Sequence, residues 1–559
     1  MFEKEISKVF SDVGIKVDES KLESPPNEEF GDVAYPCFDL AKEQKKNPGE
    51  VAQETASKFK ISKGSLIKKV EVKGPYINFF FNWPQVSKIF LKNVFKEKQI
   101  DIGKGKRVMI EFSQPNTAHG LHIGHARATM LGDSLSNIMK YAGYKIIKTN
   151  YYGDFGNQIS RSIVAYLKWG KSKKVDKKPD LWMWDLYIKM HDETAKNPQL
   201  EEEAKEILRK MESGDKKIRK IWKKVRELVL EGIRETYNRL NVSFDVELYE
   251  SDYYNLGKDL AKLALKKGIA QESEGAIVTN LEKFGLPNAI LIKSDGTTVY
   301  QTRDIGLAVK NFKEYRLDSR IYVVDVRQSL HFKQVFKLLE LLGYPWSKNL
   351  HHLGFGFVNL PEGLMASRTG RVVILDQFLD ELRDLALKEV EKHNLKLAEK
   401  KKLELAEKIG KGALIFALLR IEPEQNITFN KQDIVQFEGD TGPYVQYAHT
   451  RCLGILRKAK SYKKVFYLNK MNEHEERLLK TIMKFNSVIE NSAKDMRPHY
   501  ICNYAYQLAT VFSNFYQTTP VLKADDRKTK NFRLTLVDAT KEVLSKSLKL
   551  IGMQLPEKM

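Results

Sequence analysis

The stretch NTAHGLHIGHARATMLGD, residues 116–133, lies between two short segments that predict strands of one sheet. VMIEF (108–112) before it and KIIKTNYY (145–152) after it both have the apolar character of buried strands. Apolar residues three or four positions apart after Gly124 predict a helix, which Gly143 ends. A strand, a loop, a helix and a strand in this order are typical of the beginning of a doubly wound parallel sheet.

A second group of strand and helix patterns follows further along the chain. It consists of predicted strands NAILIK (288–293), IYVVDV (321–326) and HHLGFGFV (351–358), with helices around 304–314 and 332–342. The chain between the two groups, from about 160 to 285, is mostly charged and helical, most clearly at 216–240, and we interpret it as an insertion. The sequence therefore predicts an α/β fold of the Rossmann type.

The two ends of the chain differ from this α/β region. Near the N-terminus, KKVEVKGPYINFFFN (68–82) alternates and then becomes apolar, as a pair of strands does. From about residue 376 the pattern is nearly all helical, and the tail at 532–553 carries an apolar stripe of helical period. We therefore predict three domains: an α+β domain at 1–98, a doubly wound parallel-sheet domain at 99–390 and an all-α bundle at 391–559.

The composition leaves the partner open. The chain has 94 Lys+Arg against 72 Asp+Glu, a formal charge of +22, which fits either a nucleic-acid partner or a lysine-rich, solvated surface. Its three cysteines are too scattered for a disulfide framework or a metal site: Cys37, Cys452 and Cys502. Residues 1–20 lack the apolar core of a signal peptide and the longest apolar run is near 413–419, so we expect a soluble, cytoplasmic protein with no membrane span.

The loop at 113–124 is predicted to leave its strand at the edge of the sheet where open α/β folds bind ligands. Gly120 and Gly124 allow a ligand to approach the backbone closely, and His122 and His125 offer hydrogen-bond donors. The N-terminus of the following helix also favours an anion. The loop therefore predicts a polyphosphate site, but not a Walker loop, because the chain has no GxxxxGK[ST] motif.

HIGH, residues 122–125, resembles the ATP-binding motif of class I aminoacyl-tRNA synthetases and related nucleotidylyltransferases. Six more segments resemble, in order, the pattern of the arginyl-tRNA synthetase family: EFSQPN (111–116), YYGDFGNQI (151–159), YQTRDIG (300–306), VVDVRQSLHFKQ (323–334), GPYVQYAHTR (442–451) and RLTLVDATKEVL (533–544). GDVAYPCFDLAKEQKKNPGEVAQ (31–53) is similar to the extra N-terminal domain of that family. The resemblance implies a tRNA-contacting N-terminal domain, a class I catalytic domain and a helical anticodon-binding domain.

The resemblance also implies that the chain attaches arginine to tRNA(Arg) through an arginyl-adenylate, with ATP as substrate and Mg²⁺ bridging its phosphates. The implied arginine-binding residues are Glu111, Asn116, Tyr300, Asp304 and Gln328. Carboxylates suit this role, because a guanidinium is a planar, permanently charged fork of five donors. From the residues alone, Asp304 also fits a helix N-cap or a salt bridge to Arg303.

The implied ATP-binding residues are His119, His122, Gly124, His125, Gly153, Asp154, His331, Met365 and Ser367, and the implied catalytic residues are His122, His125 and Arg368. LMASRTGRVV (364–373) matches the family's KMSKS motif but lacks its second lysine, so Arg368 is the candidate cation. His119 stands where many members with a weak KMSKS carry a lysine. From the residues alone, Asp154 also fits a plain strand-to-helix turn, and His331 a helix histidine with an internal partner.

The implied tRNA-binding residues are Asn78 and Phe80 in the N-terminal domain and Tyr447, His449 and Arg451 in the helical domain. Basic side chains interleaved with aromatic ones suit phosphate contacts and base stacking. Two other functions stay open: a class I synthetase for another amino acid, above all lysine, and a non-catalytic RNA-binding paralogue. A stand-alone nucleotidylyltransferase is disfavoured, because such enzymes do not need a large helical domain with a basic tail. The resemblance further implies a monomer whose activation step depends on bound tRNA.

Overall fold

The computed structural model describes residues 2–62, 64–96, 100–359, 373–392 and 397–559. Two compact units are present. One comprises Met1–Lys98, Arg451–Lys484 and Thr510–Val543, and the other comprises Gln99–Thr450, Phe485–Ala509 and Leu544–Met559. The predicted domain limits at 98 and 390 stay predictions.

Helices dominate the described chain, with strands concentrated in its first two thirds. The helices, numbered α1 to α20, are Phe2–Ser11, Phe38–Gln44, Pro48–Ser57, Trp83–Val94, Ile123–Tyr141, Asn157–Ala165, Pro179–Lys196, Gln199–Ser213, Lys216–Leu240, Tyr254–Lys266, Tyr300–Tyr315, Ser329–Leu342, Leu375–Lys392, Glu399–Leu419, Lys431–Ile434, Gly442–Ala459, Glu473–Met483, Phe485–Asp495, His499–Thr518 and Arg527–Leu550. The strands, β1 to β13, are Val33–Pro36, Ile67–Lys73, Tyr76–Phe81, Arg107–Glu111, Lys145–Tyr152, Val246–Tyr249, Ala270–Ser273, Ala276–Thr279, Ile290–Ile292, Ser319–Asp325, Leu350–Phe355, Val358–Asn359 and Ile427–Thr428.

A five-stranded parallel sheet in the order β11-β10-β4-β5-β6 forms the centre of the second unit. Strand β4 has neighbours on both sides, so Glu111 at its end lies opposite Tyr322 of β10 and Thr149 of β5. Paired residues of neighbouring strands share a face of the sheet, which places these three side chains on one face. The predicted α/β fold of the Rossmann type is confirmed.

Helix α5 begins directly after the 113–122 loop and runs beneath the sheet. The helix packs closely against Phe112, the residue after β4, because Gly132 has no side chain. An added Cβ at Gly132 would lie 2.1 Å from Cγ of Phe112. Gly143, with φ of +92°, ends the helix as predicted, because a left-handed residue suits glycine. The helix axis is thus fixed against β4, and this fixes the position of its first turn.

Two strands differ from the sequence prediction. NAILIK forms β9, but β9 joins an antiparallel sheet in the order β7-β8-β9, because residues 280–289 are too few for a crossover between parallel strands. Strand β6 was not predicted and forms the edge of the parallel sheet inside the 160–285 region. It is short and largely half-buried, so it lacks the continuous apolar run of a central strand.

The N-terminal part of the first unit is a small α+β structure. Its sheet is antiparallel in the order β1-β3-β2, which confirms the strand pair predicted at 68–82. Phe10 of α1 packs against Tyr35 and Phe79 of this sheet. Among the described helices, none combines the length and apolar character that crossing a bilayer requires.

Candidate active site

The first turn of helix α5, residues 122–125, is held by local hydrogen bonds, and we call it the histidine turn. His122 is the N-cap residue, and its Nδ1 accepts the backbone N–H of Gly124 at 3.1 Å. In return, the backbone N–H of His122 donates to Nδ1 of His125 at 3.1 Å. This capping box satisfies N–H groups that the start of a helix otherwise leaves unpaired.

The same hydrogen bonds determine which nitrogen of each ring carries the proton. Because Nδ1 accepts a backbone N–H in both rings, a neutral His122 or His125 carries its proton on Nε2. Burial lowers the pKa of His122 to about 4, and His119 adds to this shift. Burial also lowers the pKa of His125 well below its usual value. Both rings are therefore uncharged donors at neutral pH, which suits hydrogen bonds to phosphate oxygens.

His119 has the opposite hydrogen-bonding polarity. Its Nδ1 lies 3.0 Å from the carbonyl oxygen of Gly120, which can only accept, so Nδ1 carries the proton. The ring lies edge-on to Trp184 at a centroid distance of 4.6 Å, and burial lowers its pKa. Nε2 of a neutral His119 is consequently an acceptor, which suits an amino or hydroxyl group of a nucleoside better than a phosphate oxygen.

Residues 373–375 pair with the loop in front of the histidine turn. The Ile123 N–H donates to the Val373 carbonyl at 3.1 Å, and the Leu375 N–H donates to the Leu121 carbonyl at 3.0 Å. The chain segment that matches KMSKS therefore ends beside this turn. Three of the predicted residues in that segment lie outside the described residues, and their roles stay predictions: Met365, Ser367 and Arg368.

Glu111 is buried, with 3 % of its surface exposed, and both oxygens of its carboxylate are engaged. Gln114 donates to one oxygen from Nε2 at 3.0 Å, and the guanidinium of Arg320 on β10 donates to the other. Burial raises the pKa of Glu111, although the Arg320 charge opposes this. The carboxylate predicted to bind substrate arginine thus has a resident guanidinium as its partner.

Asp304 is the fifth residue of α11, one turn after Tyr300. One of its oxygens lies 2.5 Å from Nε2 of His331 on α12. His331 was predicted to contact ATP, but this contact favours the interpretation of a histidine with an internal partner. Asp304 also lies close enough to Glu111 to add to the rise in the pKa of Glu111, which burial dominates. The two predicted acidic ligands therefore share one region.

Glu250 is a third carboxylate of this region that the sequence analysis missed. It begins the short turn Glu250–Asp252 directly after β6, and the guanidinium of Arg303 donates to one of its oxygens. Burial raises the pKa of Glu250 to about 7; the Arg303 charge lowers it, whereas Asp304 adds to the rise. Its position at the end of a strand could have pointed to Glu250, but the sequence did not predict that strand. We call Glu111, Glu250 and Asp304 the carboxylate cluster.

Of the other predicted arginine ligands, Asn116 and Gln328 follow strands of the parallel sheet, whereas Tyr300 begins α11. Asn116 pairs with Gly153 through a parallel bridge, and its Nδ2 donates to Oε1 of Gln158 at 2.7 Å. Gln328 is exposed after β10, and Tyr300 is 69 % exposed at the start of α11. Asn116 and Gln328 are placed where open α/β sheets bind ligands, and the roles of all three residues stay predictions.

Asp154 is fully buried and its carboxylate is occupied by protein groups. Arg226 donates to it at 2.9 Å, and Ser251 donates from the backbone N–H at 3.0 Å and from Oγ at 2.9 Å. Ser251 follows Glu250 directly, so Asp154 positions the turn that carries Glu250. These contacts favour a structural role for Asp154 over the predicted ATP contact.

Three family models match the chain from end to end. They are "Arginyl tRNA synthetase N terminal domain" at residues 1–81, "tRNA synthetases class I (R), catalytic domain" at 85–430 and "DALR anticodon binding domain" at 445–559. The chain belongs to the arginyl-tRNA synthetase family. The resemblance inferred from HIGH and its flanking segments is thereby confirmed.

Relatives within the arginyl-tRNA synthetase family match over the full length. An arginine–tRNA ligase of Clostridioides difficile is 38 % identical over 97 % of this chain and 96 % of its own length. An arginine–tRNA ligase of Halothermothrix orenii is 37 % identical over 99 % of this chain and 98 % of its own length. The solved arginyl-tRNA synthetase of Thermus thermophilus superimposes with a TM-score of 0.84 at 27 % identity, covering 100 % of this chain and 99 % of that one.

In the part that matches the arginyl-tRNA synthetase N-terminal domain, Asn78 is buried on β3 and lines a cavity of about 280 Å³. Tyr76 and Lys73 line the same cavity, and the Lys73 ammonium lies 3.3 Å from the centroid of the Phe30 ring. Phe80 lies outside this group, under the ammonium of Lys69 at 4.1 Å. Glu23 also lines the cavity, and the predicted tRNA contacts of Asn78 and Phe80 stay predictions.

In the part that matches the DALR anticodon binding domain, the three predicted residues of α16 differ in exposure. Tyr447 stacks with Phe437 at a centroid distance of 6.4 Å, and both Tyr447 and Arg451 are partly exposed. Arg451 lies over the ring of Tyr516 at 5.3 Å. His449 is only 5 % exposed, which favours a role in helix packing over direct contact with RNA.

Proposed function

We propose that the chain attaches L-arginine to tRNA(Arg) in two steps, forming an arginyl-adenylate from ATP and then transferring the arginyl group. The observation that carries this proposal is the carboxylate cluster, in which side chains from β4, the turn after β6 and helix α11 come together at one end of the parallel sheet. Glu111 is occupied by Arg320 and Gln114, so the substrate group would meet Asp304 and Glu250. A permanently charged fork with five donors matches two carboxylates better than an ammonium with three donors. Lysine is therefore the weaker candidate substrate.

In the first step the arginine carboxylate attacks the α-phosphate of ATP, and pyrophosphate leaves. The nucleophile is already an anion, so the step requires positioning and charge stabilisation rather than a general base. We assign this stabilisation to Nε2–H of His122 and His125, which the capping box holds in place. Arg368 is proposed to supply the cation that the KMSKS-like segment lacks.

We treat Mg²⁺ as part of the MgATP substrate. Among the described residues, no group of three or more His, Cys, Asp or Glu side chains is arranged to hold a metal ion. We propose that the phosphates of ATP supply ligands to the ion, together with water and at most one or two protein carboxylates, as is common for Mg²⁺. The roles of Gly124, Gly153 and His119 at the nucleotide are proposed on their positions next to the histidine turn.

In the second step a ribose hydroxyl of the tRNA's terminal adenosine attacks the adenylate carbonyl, and AMP leaves. We propose that the cavity at Asn78 and the exposed parts of Tyr447 and Arg451 contact the tRNA elsewhere. We also propose that the chain acts as a monomer in the cytoplasm, where its buried free cysteines suit reducing conditions.

The test is exchange of labelled pyrophosphate into ATP with each proteinogenic amino acid, with and without tRNA(Arg). We expect exchange with arginine alone, and only when tRNA is present. Exchange with lysine, or with no amino acid under any condition, would overturn the proposal. An RNA-binding paralogue without catalysis would bind tRNA but show no exchange.

A further inference from the structure

The hydroxyl of Tyr151 on β5 is buried and has no hydrogen-bond partner among the described residues. The rest of the side chain is only partly buried, so the ring reaches an accessible region while its hydroxyl lies inside. A buried hydroxyl without a partner is unfavourable, and proteins rarely retain one. The proposed reaction assigns no role to Tyr151.

Tyr151 lies on the face of the sheet that carries the carboxylate cluster. It follows Thr149 by two residues, and Thr149 lies opposite Glu111, so all three share that face. Its partner on β6 is Leu248, two residues before Glu250. The side chain packs against a cluster formed by Leu248, Tyr253 and Leu307.

Helix α11 contributes Leu307 to this cluster, about one turn after Asp304. Leu307 lies three residues after Asp304, so the two side chains point the same way from the helix. The Tyr151 ring also meets that of Tyr253, which directly follows the turn Glu250–Asp252, at a centroid distance of 6.1 Å. Tyr151 thus lies between the two elements that carry Asp304 and Glu250.

The charges around the hydroxyl agree with this placement. Burial raises the pKa of Tyr151 well above its usual value, and Asp304, Glu250 and Glu111 add to the rise in that order. Within the described chain, Asp304 and Glu250 each use one carboxylate oxygen in a hydrogen bond, to His331 and to Arg303, which leaves one oxygen of each for a ligand. Both oxygens of Glu111 are occupied.

We propose that the Tyr151 hydroxyl accepts a hydrogen bond from the guanidinium of substrate arginine and so contributes to the choice of substrate. The proposal rests on the proposed function and adds a residue to the same site. A phenol has one donor and one acceptor, so the O–H donates to Asp304 or Glu250 while the oxygen accepts a guanidinium N–H. The guanidinium donors that remain then face the open oxygens of Asp304 and Glu250.

Tyr322 provides a contrast within the same region. Its hydroxyl is also buried without a partner in the described chain, but its ring lies 4.6 Å from the guanidinium carbon of Arg320. Arg320 belongs to the protein and is fully buried. The ring of Tyr322 therefore contacts the resident guanidinium, whereas the ring of Tyr151 packs among residues of the elements that carry Asp304 and Glu250.

The test is Tyr151→Phe, compared with Tyr152→Phe as the matched control. Tyr152 is the next residue, points to the opposite face and donates to Glu247 at 3.1 Å. For Tyr151→Phe we expect the arginine KM in aminoacylation to rise about tenfold, with the ATP KM almost unchanged. Its Tm without arginine should equal or exceed that of the wild type, because an unpaired hydroxyl has been removed, but the Tm increase on adding arginine should shrink.

The control separates a role in recognition from a role in folding. Tyr152→Phe should lower Tm and leave the arginine KM and the arginine-induced Tm increase as in the wild type. A Tyr151→Phe variant with a wild-type arginine KM and Tm response overturns the inference alone, as does an equal rise of KM in both variants. A wild-type chain without arginine-dependent activity overturns the proposed function as well.

Discussion

The histidine turn and the carboxylate cluster are held in place in opposite ways. The histidine turn is fixed by backbone N–H groups two and three residues away, and its rings stay uncharged. The carboxylate cluster is fixed mainly by side chains that are distant in sequence, such as Arg320, which is 209 residues from Glu111. The phosphate donors are thus a property of one helix start, whereas the guanidinium site exists only when the whole sheet has assembled.

The largest effect should come from breaking the buried pair under the cluster. Glu111→Gln leaves the fully buried Arg320 charge without a counter-charge, so the free energy of unfolding should fall by about 3 kcal/mol. Urea denaturation followed by tryptophan fluorescence measures this change. Glu247→Gln is the control, because the Glu247–Arg234 pair is partly exposed and should contribute less than about 1 kcal/mol. If the free energy of unfolding falls equally in both variants, the buried pair is not more important for stability than the exposed one, contrary to our expectation.

The next largest effect should come from the histidine turn. In His122→Asn the asparagine can still cap α5, but the Nε2–H donor is lost. We expect the rate of arginyl-adenylate formation to fall about 100-fold, with the arginine KM nearly unchanged. Single-turnover kinetics measure this rate. The control is His191→Asn, at an exposed position of α7, which should not change this rate. If the rate of His122→Asn is close to that of the wild type, His122 has no role in the mechanism.

A smaller and complementary effect should come from Asp304→Asn. Loss of a charged acceptor for the substrate guanidinium should raise the arginine KM about 30-fold, equivalent to about 2 kcal/mol, and leave the ATP KM unchanged. Steady-state aminoacylation measures both constants. Glu314→Gln on the exposed side of α11 is the control and should change neither. If the arginine KM of Asp304→Asn stays at the wild-type value, Asp304 is structural.

The smallest effect concerns pH. The pKa of Glu250 is raised to about 7, so the group is largely protonated below pH 7 and cannot then attract a cation. Binding of arginine favours the ionised form, so the arginine KM should fall about tenfold from pH 6 to pH 8 and then level off. The histidine turn should not titrate in this range, because the pKa of His122 is lowered to about 4 by burial. Glu250→Gln should abolish the pH dependence, and a dependence that persists in this variant would assign it to another group.

The same contrast explains what the sequence could and could not predict. Strands β4 and β5, helix α5 and its capping histidines depend on residues close in sequence, and the apolar periodicity and the HIGH pattern sufficed for them. Strand β6 is a short edge strand without an apolar run, so Glu250 at its end was missed. The partners Arg320 of Glu111 and His331 of Asp304 are long-range pairs, and a single sequence contains no signal for such pairings.

The most direct test is a crystal structure of the chain with L-arginine and a non-hydrolysable ATP analogue. We expect guanidinium nitrogens of the substrate to lie within about 3.2 Å of the Asp304 and Glu250 carboxylates, while Arg320 stays bound to Glu111. The triphosphate should face Nε2 of His122 and His125. A guanidinium bound away from Asp304 and Glu250, with both carboxylates still in contact only with His331 and Arg303, would contradict this expectation.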